Sequence, residues 1–331
     1  MTAPPSTPHP YRTTGEPMLL RPAHDADLDR VAAVTVDEPV SWIPADRYRA
    51  ELAEAMYRPE WTWIAERDGR VVARALWWGQ SAGEHPLALD CLHVDGSVAD
   101  RAALATDLLR AGHTAFREQG APRPPLYNVT LPNGWRDDPA VAAAMAWRRE
   151  AALAAGLTAE VERLRLEWTP KDGVPEPAAP RLTFHEASDE EFLGVFRRIA
   201  QGSLDAETRK NLAAKGAEAT ARHELEYYRD CPGERAWWRI ARTADGTVAG
   251  LAIPSATPYN PNVGYLGVVP ELRGRGYVDE LLAEITRSHA GRGAELITAT
   301  TDTGNAPMAA AFARAGYRNT EIRMIFSAPT D

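Results

Sequence analysis

The sequence predicts a mixed α/β chain made of two tandem halves. Apolar strand-like runs and amphipathic helical runs alternate along all 331 residues. Several segments of the first half recur, in the same order, in the second. Between the halves lies residues 169–180, a proline-rich stretch that predicts a stiff, extended linker. The expected organisation is a disordered tail at 1–17, a first domain at 18–168, a linker at 169–180 and a second domain at 181–331.

The elements follow in order. The tail is rich in Pro, Thr and Ser and lacks the apolar core of a signal peptide. Met18-Leu-Leu-Arg-Pro-Ala, followed by Asp25-Ala-Asp-Leu-Asp-Arg-Val, reads as a strand and then a helix. Leu182-Thr-Phe-His-Glu-Ala, followed by Asp189-Glu-Glu-Phe-Leu-Gly-Val, parallels it. Trp61-Thr-Trp-Ile-Ala-Glu-Arg-Asp-Gly-Arg-Val-Val-Ala and Trp237-Trp-Arg-Ile-Ala-Arg-Thr-Ala-Asp-Gly-Thr-Val-Ala each read strand, Asp-Gly hairpin, strand. Ala155-Gly-Leu parallels Ala315-Gly-Tyr, with Gly316 placed as a helix C-terminal stop. The second half then gives a strand at 263–269, a helix with Val278, Leu281, Leu282 and Ile285 on one face, and a strand at 294–301. A second helix follows, and a final strand at 321–326.

The most telling stretch joins the first two of these. After Pro270 the chain reads Arg273-Gly274-Arg275-Gly276-Tyr277-Val278 and enters the helix. A strand, a glycine-rich turn and a helix start point backbone N–H groups at one place, with the positive end of the helix dipole behind them. Two glycines let a ligand approach the backbone. This turn suits a pyrophosphate, although strand–turn–helix junctions also occur with no ligand. There is no G-x-x-x-x-G-K-[ST] and no dinucleotide fingerprint with a following acidic residue.

Residues 264–326 resemble the acyl-CoA core of the GNAT superfamily of N-acyltransferases. The family signature runs V-x-P, then [RQ]-x-x-G-x-[GA], then N-x-x-M-x-x-x-Y-x-x-x-G-[FY]. This chain offers Val268-Val269-Pro270, then Arg273 to Val278, then Asn305, Met308, Phe312, Gly316 and Tyr317 at the matching spacings. The resemblance is looser over 182–263 and only topological over 18–168, an arrangement similar to tandem GNAT proteins of the mycothiol-synthase type. It implies that each half is a central, mostly antiparallel mixed sheet flanked by helices. It also implies acetyl-CoA, or another acyl-CoA, as co-substrate, held by Val268, Val269, Arg273, Gly274, Arg275, Gly276, Tyr277, Val278, Asn305 and Phe312. Backbone N–H groups at Val268 and Val269 are the expected partners of the thioester carbonyl.

Three departures stand out. Val278 replaces the last motif glycine. Phe312 stands where many members have a Tyr acid, and Asn262 where many have a Glu base. The first half has lost the turn: Leu92-His-Val-Asp-Gly-Ser-Val-Ala-Asp-Arg101 places Asp95 and Asp100 where a pyrophosphate would lie. It is expected to bind no cofactor.

For the chemistry itself the candidates are Tyr265 on the central strand, Asp302 at the mouth of the next strand, and His223. His223, Glu226 and Tyr227 share a helix face within 217–228; for His223 and Glu226 the plainer reading is a solvated face with an ordinary side-chain pair. Asp302 also fits a turn or N-cap role. Trp42, Trp61, Trp63, Trp77, Trp78, Trp135 and Trp147 fit core packing, with an acceptor-pocket lining as the alternative.

Composition narrows the class. A net charge of −9 with no basic run argues against nucleic acid. No apolar run is long enough to span a membrane. Two cysteines, Cys91 and Cys231, imply no disulfide framework and fit a reducing cytoplasm. No metal is expected. The reading is a cytoplasmic N-acyltransferase, a monomer or homodimer, that acts on a small-molecule amine by direct transfer in a ternary complex. The alternative is a non-catalytic acyl-CoA-binding or sensing protein.

Overall fold

Both Asp-Gly turns form hairpins. In the first, Asp68 and Gly69 have φ of 52° and 74°, the left-handed pair that matches strand twist. In a computed structural model, residues 9–12, 17–36, 38–40, 44–177 and 179–329 are described. They divide into two units: residues up to Val161 with Arg323–Pro329, and Glu162–Ile322.

The first unit contains β1 (His9–Arg12), β2 (Pro17–Pro22), α1 (Leu28–Ala32), α2 (Ala45–Ala53), β3 (Thr62–Arg67), β4 (Arg70–Trp78), β5 (Ala88–Val94), α3 (Arg101–Glu118), β6 (Leu126–Pro132) and α4 (Pro139–Ala154). Its strands lie in the order β1-β2-β3-β4-β5-β6, antiparallel except for a parallel step from β5 to β6. That step is short: only Ala88↔Leu126 and Leu89↔Tyr127 pair. One core cluster gathers Val31, Tyr48, Tyr57, Ile64, Leu76 and Cys91. On α3, Phe116 is buried with its ring 5.2 Å from Trp77.

Next in the chain comes β7 (Ala159–Trp168), then the second unit's β8 (Leu182–His185), α5 (Asp189–Ala200), α6 (Ala206–Asp230), β9 (Arg239–Thr243), β10 (Val248–Ala256), β11 (Pro261–Val268), α7 (Tyr277–Ala290), β12 (Ile297–Asp302) and α8 (Ala306–Arg314). The last strand is β13 (Arg318–Ser327). The order is β8-β9-β10-β11-β12-β7, again with one parallel step, from β11 to β12. The duplication read from the sequence is thus present as topology. α7 and α8 bury Leu281, Leu282, Ile285 and Phe312 in one cluster of this unit. α5 and α6 bury Phe192, Phe196, Ile199 and Leu225 in another. Each such fully buried side chain contributes about 1.5–3 kcal/mol of apolar transfer.

Three expectations about boundaries need adjustment. Within the expected tail, His9–Arg12 pair with β2 in antiparallel register; 1–8 and 13–16 lie outside the described residues. The division between units falls inside β7 rather than at 169–180, because Arg163 to Trp168 pair with Asp302 to Ile297 of β12 and bury Leu166 and Trp168 in the second core. The start of the expected linker is folded: Pro170–Asp172 form a helical turn, and the Asp172 carboxylate accepts from Thr169 N–H and Oγ1, both at 2.8 Å.

Candidate functional site

The site grows out of the end of β11. Val269 is fully buried and donates its N–H to Ala249 O of β10 at 2.9 Å. Pro270–Leu272 form one helical turn. Gly274 and Gly276 then take φ of 76° and 75°, a conformation that costs a side-chain-bearing residue about a kcal/mol or more. A Cβ at Gly274 would meet nothing within 4 Å, and one at Gly276 would come no nearer than 3.6 Å to Arg181. The glycines are required by the backbone turn, and the space they leave is open.

α7 begins directly behind. Gly276 is its N-cap and supplies no capping side chain. The Asp279 N–H turns back to Gly276 O at 3.2 Å; the N–H groups of Tyr277 and Val278 have no carbonyl one turn back to bond and face this open space. Two acids lie in the same turn, but both are compensated: Asp279 pairs with Arg314 at 2.6 Å, and Glu280 with Arg181 at 2.9 Å. Arg273 is occupied differently from the expectation. Its guanidinium donates to Ile199 O at 2.7 Å, Gln201 O at 3.0 Å, Gly202 O at 2.8 Å and Val268 O at 3.1 Å. It fastens the turn to the C-terminal end of α5, where bare carbonyls attract a cation.

β11 and β12 pair only at Asn262↔Thr298, where Asn262 Nδ2 donates to Thr298 O at 3.1 Å and Oγ1 at 3.2 Å. Beyond this rivet the strands diverge. β10 adds a register shift between Ile253 and Pro254, which bends a strand and increases its twist. Since the Val269 N–H points to β10 and strand groups alternate sides, the Val268 N–H points into the gap. The gap opens into a cavity of about 850 Å³. Its wall includes Val263 to Val268, Gly274, Gly276 to Val278, the starts of α8 and α6, and His223, Glu224, Tyr227 and Tyr228.

This strand–turn–helix segment lies within the part of the chain that a family model matches. The sequence model of the acetyltransferase (GNAT) family matches residues 205–317. Residues 205–317 form a domain of the GNAT acetyltransferase family. No curated protein sequence matches the chain. Among solved structures, a GCN5-related N-acetyltransferase from Sphaerobacter thermophilus is 15% identical, with 93% of this chain and 94% of that one covered and a TM-score of 0.55. A GCN5-related glucosamine N-acetyltransferase region of a fungal multi-domain β-N-acetylglucosaminidase is 17% identical, with 95% of this chain and 38% of that one covered and a TM-score of 0.53. At these identities the likeness is one of fold.

Within the GNAT domain the expected site residues separate. Val268, Arg273, Gly274, Gly276, Tyr277, Val278, Asn305 and Phe312 line the cavity; Val269 and Arg275 do not. Val269 fails because its N–H is spent on β10. Arg275 is exposed, and its carbonyl accepts from Arg181 at 2.8 Å. Arg181, unremarked in the sequence because it closes a proline-rich stretch, stands over the Tyr277 ring at 4.6 Å. Asn305 caps α8 with its backbone and no side-chain bond. Phe312 is buried with its ring 5.1 Å from Tyr317.

The catalytic candidates fare unevenly. Asp302 is buried away from the cavity; Oδ1 accepts from Arg163 at 2.8 Å and Oδ2 from Ala206 N–H at 2.6 Å. It is a structural clamp at the start of α6, not a base. Tyr265 lines the cavity, and burial together with the Glu224 and Asp205 charges pushes its hydroxyl well up. It therefore keeps its proton. His223 reaches the cavity wall from an exposed position, while Glu226 is exposed and outside the wall. Between them sits Glu224, half-buried in the wall, its pKa pushed up to about 7 by burial and by Asp205. Periodicity over 217–228 grouped His223 with Glu226 and Tyr227, whereas the wall takes His223, Glu224, Tyr227 and Tyr228. The inward face is set by Tyr228, whose Oη donates to Gly264 O at 2.9 Å.

The first unit's tryptophans are mainly packing. Trp61, Trp63, Trp77 and Trp147 are buried, Trp78 and Trp135 are half-buried, and Trp42 lies outside the described residues. The place matching the Gly274–Gly276 turn is closed. Asp100 caps α3, accepting from Ala103 N–H at 2.9 Å, and Asp95 accepts from Ser97 N–H at 2.8 Å. Arg148 of α4, 2% exposed, fills the gap beside β5, donating to Glu38 at 2.6 Å and Leu92 O at 3.2 Å. The hole that remains there is about 10 Å³.

Proposed function

We propose that the second unit binds acetyl-CoA, or another acyl-CoA, on the Gly274–Val278 turn and transfers its acyl group directly to a small-molecule amine in a ternary complex. The open N-terminus of α7 carries this reading. Unpartnered N–H donors, two left-handed glycines and a helix dipole meet on the wall of a cavity. Phosphate oxygens of the co-substrate satisfy those donors, with Arg181 as the nearest cation. The Val268 N–H faces the position of the thioester carbonyl, where it stabilises negative charge that develops on oxygen. No side-chain hydroxyl is present at Phe312, so the thiolate leaves unprotonated and takes its proton from solvent.

Membership of the GNAT acetyltransferase family supports the acyl-transfer class. Among the described residues no helix is long and apolar enough to cross a membrane. Cys91 and Cys231 are free thiols, which supports a cytoplasmic setting. The first unit, with its helix start capped by its own Asp100, takes no co-substrate. The buried Phe312 and the riveted Asn262 favour one other reading, an acyl-CoA-binding or sensing protein with no transfer step. CoA release with a panel of amines separates the two: binding without release supports the sensor.

A further inference from the structure

We propose that Glu224 is the base that takes the proton from the acceptor ammonium, a role that rests on the acyl-transfer reading above. The place where relatives often carry a base is spent here, because the Asn262 side chain bonds Thr298 and lies outside the cavity wall. The cavity contains another group with the necessary freedom. Glu224 shares its wall with Leu266 and Val268, whose backbone edge faces the gap. It makes no hydrogen bond or ion pair with any described residue, unlike Asp205, which accepts from Thr208 N–H at 2.7 Å and Oγ1 at 2.9 Å.

Its position is fixed. One turn further along α6, Tyr228 is tied to Gly264 O of β11 at 2.9 Å, and the Glu224 charge acts on both the Tyr228 and Tyr265 hydroxyls. The groups around it are Asp205, Glu207, Lys215, Tyr227 and Tyr228 from α6 and its entry, Tyr265 from β11, and Arg163 from β7. Burial, Asp205 and Glu207 raise its pKa to about 7, against the opposing pull of Lys215. A base poised near neutrality is matched to an ammonium donor at working pH.

The step balances without further reagents. R–NH3+ gives one proton to the Glu224 carboxylate. The nitrogen lone pair forms the bond to the thioester carbonyl carbon. The C–S bond breaks, and its electron pair leaves on sulfur. The second N–H proton passes through solvent to the thiolate, and Glu224 returns its proton to water. The products are the amide, CoA thiol and one proton.

The test uses the full chain, acetyl-CoA, and ethanolamine, glucosamine and spermidine in turn, with water as background acceptor. CoA release is followed from pH 5.5 to 9, and acetyl-CoA affinity is measured by calorimetry. The expected result is a wild-type rate that rises through a limb near pH 7. E224Q loses the limb and about a hundredfold in rate at pH 8, a typical contribution for a general base. E224D keeps the limb, and both variants bind acetyl-CoA within threefold of wild type. An E224Q protein that retains both limb and rate overturns this proposal alone. A wild type that binds acetyl-CoA yet releases no CoA to any amine or to water overturns it in favour of the sensor. Absence of acetyl-CoA binding by the wild type overturns the underlying reading together with it.

Discussion

The two units begin α3 and α7 in opposite ways. In the second, Gly276 leaves the helix start open, and β11 and β12 diverge into a cavity of about 850 Å³. In the first, the Asp100 carboxylate occupies the helix start, and Arg148 with Glu38 fills the corresponding gap, leaving about 10 Å³. Strand order, the short parallel step and the bulge are shared; β4 shifts register between Leu76 and Trp77 as β10 does between Ile253 and Pro254. The wedge is therefore a property of the topology. Whether it is a site depends on a few side chains, in the first unit an internal anion and a buried cation that do the work a ligand would do.

The largest expected effect breaks the open end. G276D puts a side chain on a left-handed backbone and a negative charge among the N–H groups at the start of α7. Acetyl-CoA affinity is expected to fall by more than a hundredfold while the circular dichroism spectrum is kept; calorimetric titration checks it, and unchanged affinity would refute the cradle.

Breaking the closed end acts on stability instead. R148M strips Glu38 of its best-buried partner, and loss of one member of a buried pair costs about 3 kcal/mol. Urea unfolding followed by the first unit's tryptophans should show it, with acetyl-CoA affinity unaltered. A gain of a second binding event would mean that Arg148 was the only obstacle.

D100A removes the α3 cap for about 1 kcal/mol, read in the same unfolding experiment, and should create no site. At the small end, F312Y should change kcat by less than about tenfold, or ~1.4 kcal/mol of barrier, because a thiolate leaves without an acid. A hundredfold gain in CoA release would instead show a site crippled at that position.

Glu224 sharpens the contrast through pH. Its folded pKa, about 7, lies above the ordinary carboxylate value. The protonated form is the one the fold prefers, so this group's contribution is complete in acid and is lost as pH rises through 7. E224Q removes that loss. Its melting temperature should exceed wild type at pH 8 and match it at pH 4.5; a constant difference across pH would contradict the burial of a titrating carboxylate.

How much of this could be read from the sequence follows from the range of each interaction. The turn was legible because Gly274, Gly276 and the apolar face of α7 are neighbours in sequence. The duplication was legible because Asp68-Gly69 and Asp245-Gly246 each sit in the turn of a hairpin. The fixing of Arg273 to three carbonyls at the C-terminal end of α5, the clamp at Asp302 and the place of β7 beside β12 were not, since each joins residues distant in the chain. Glu224 was missed because the stripe of α6 that turns inward is chosen by a tertiary contact, the Tyr228 bond to Gly264 O.

One measurement bears most directly on the comparison: the number of acetyl-CoA molecules bound per chain, from calorimetric titration of wild type, G276D and D100A. The expected values are one, none and one. Two per chain in the wild type, or one surviving in G276D, would contradict a single acyl-CoA site at the open start of α7.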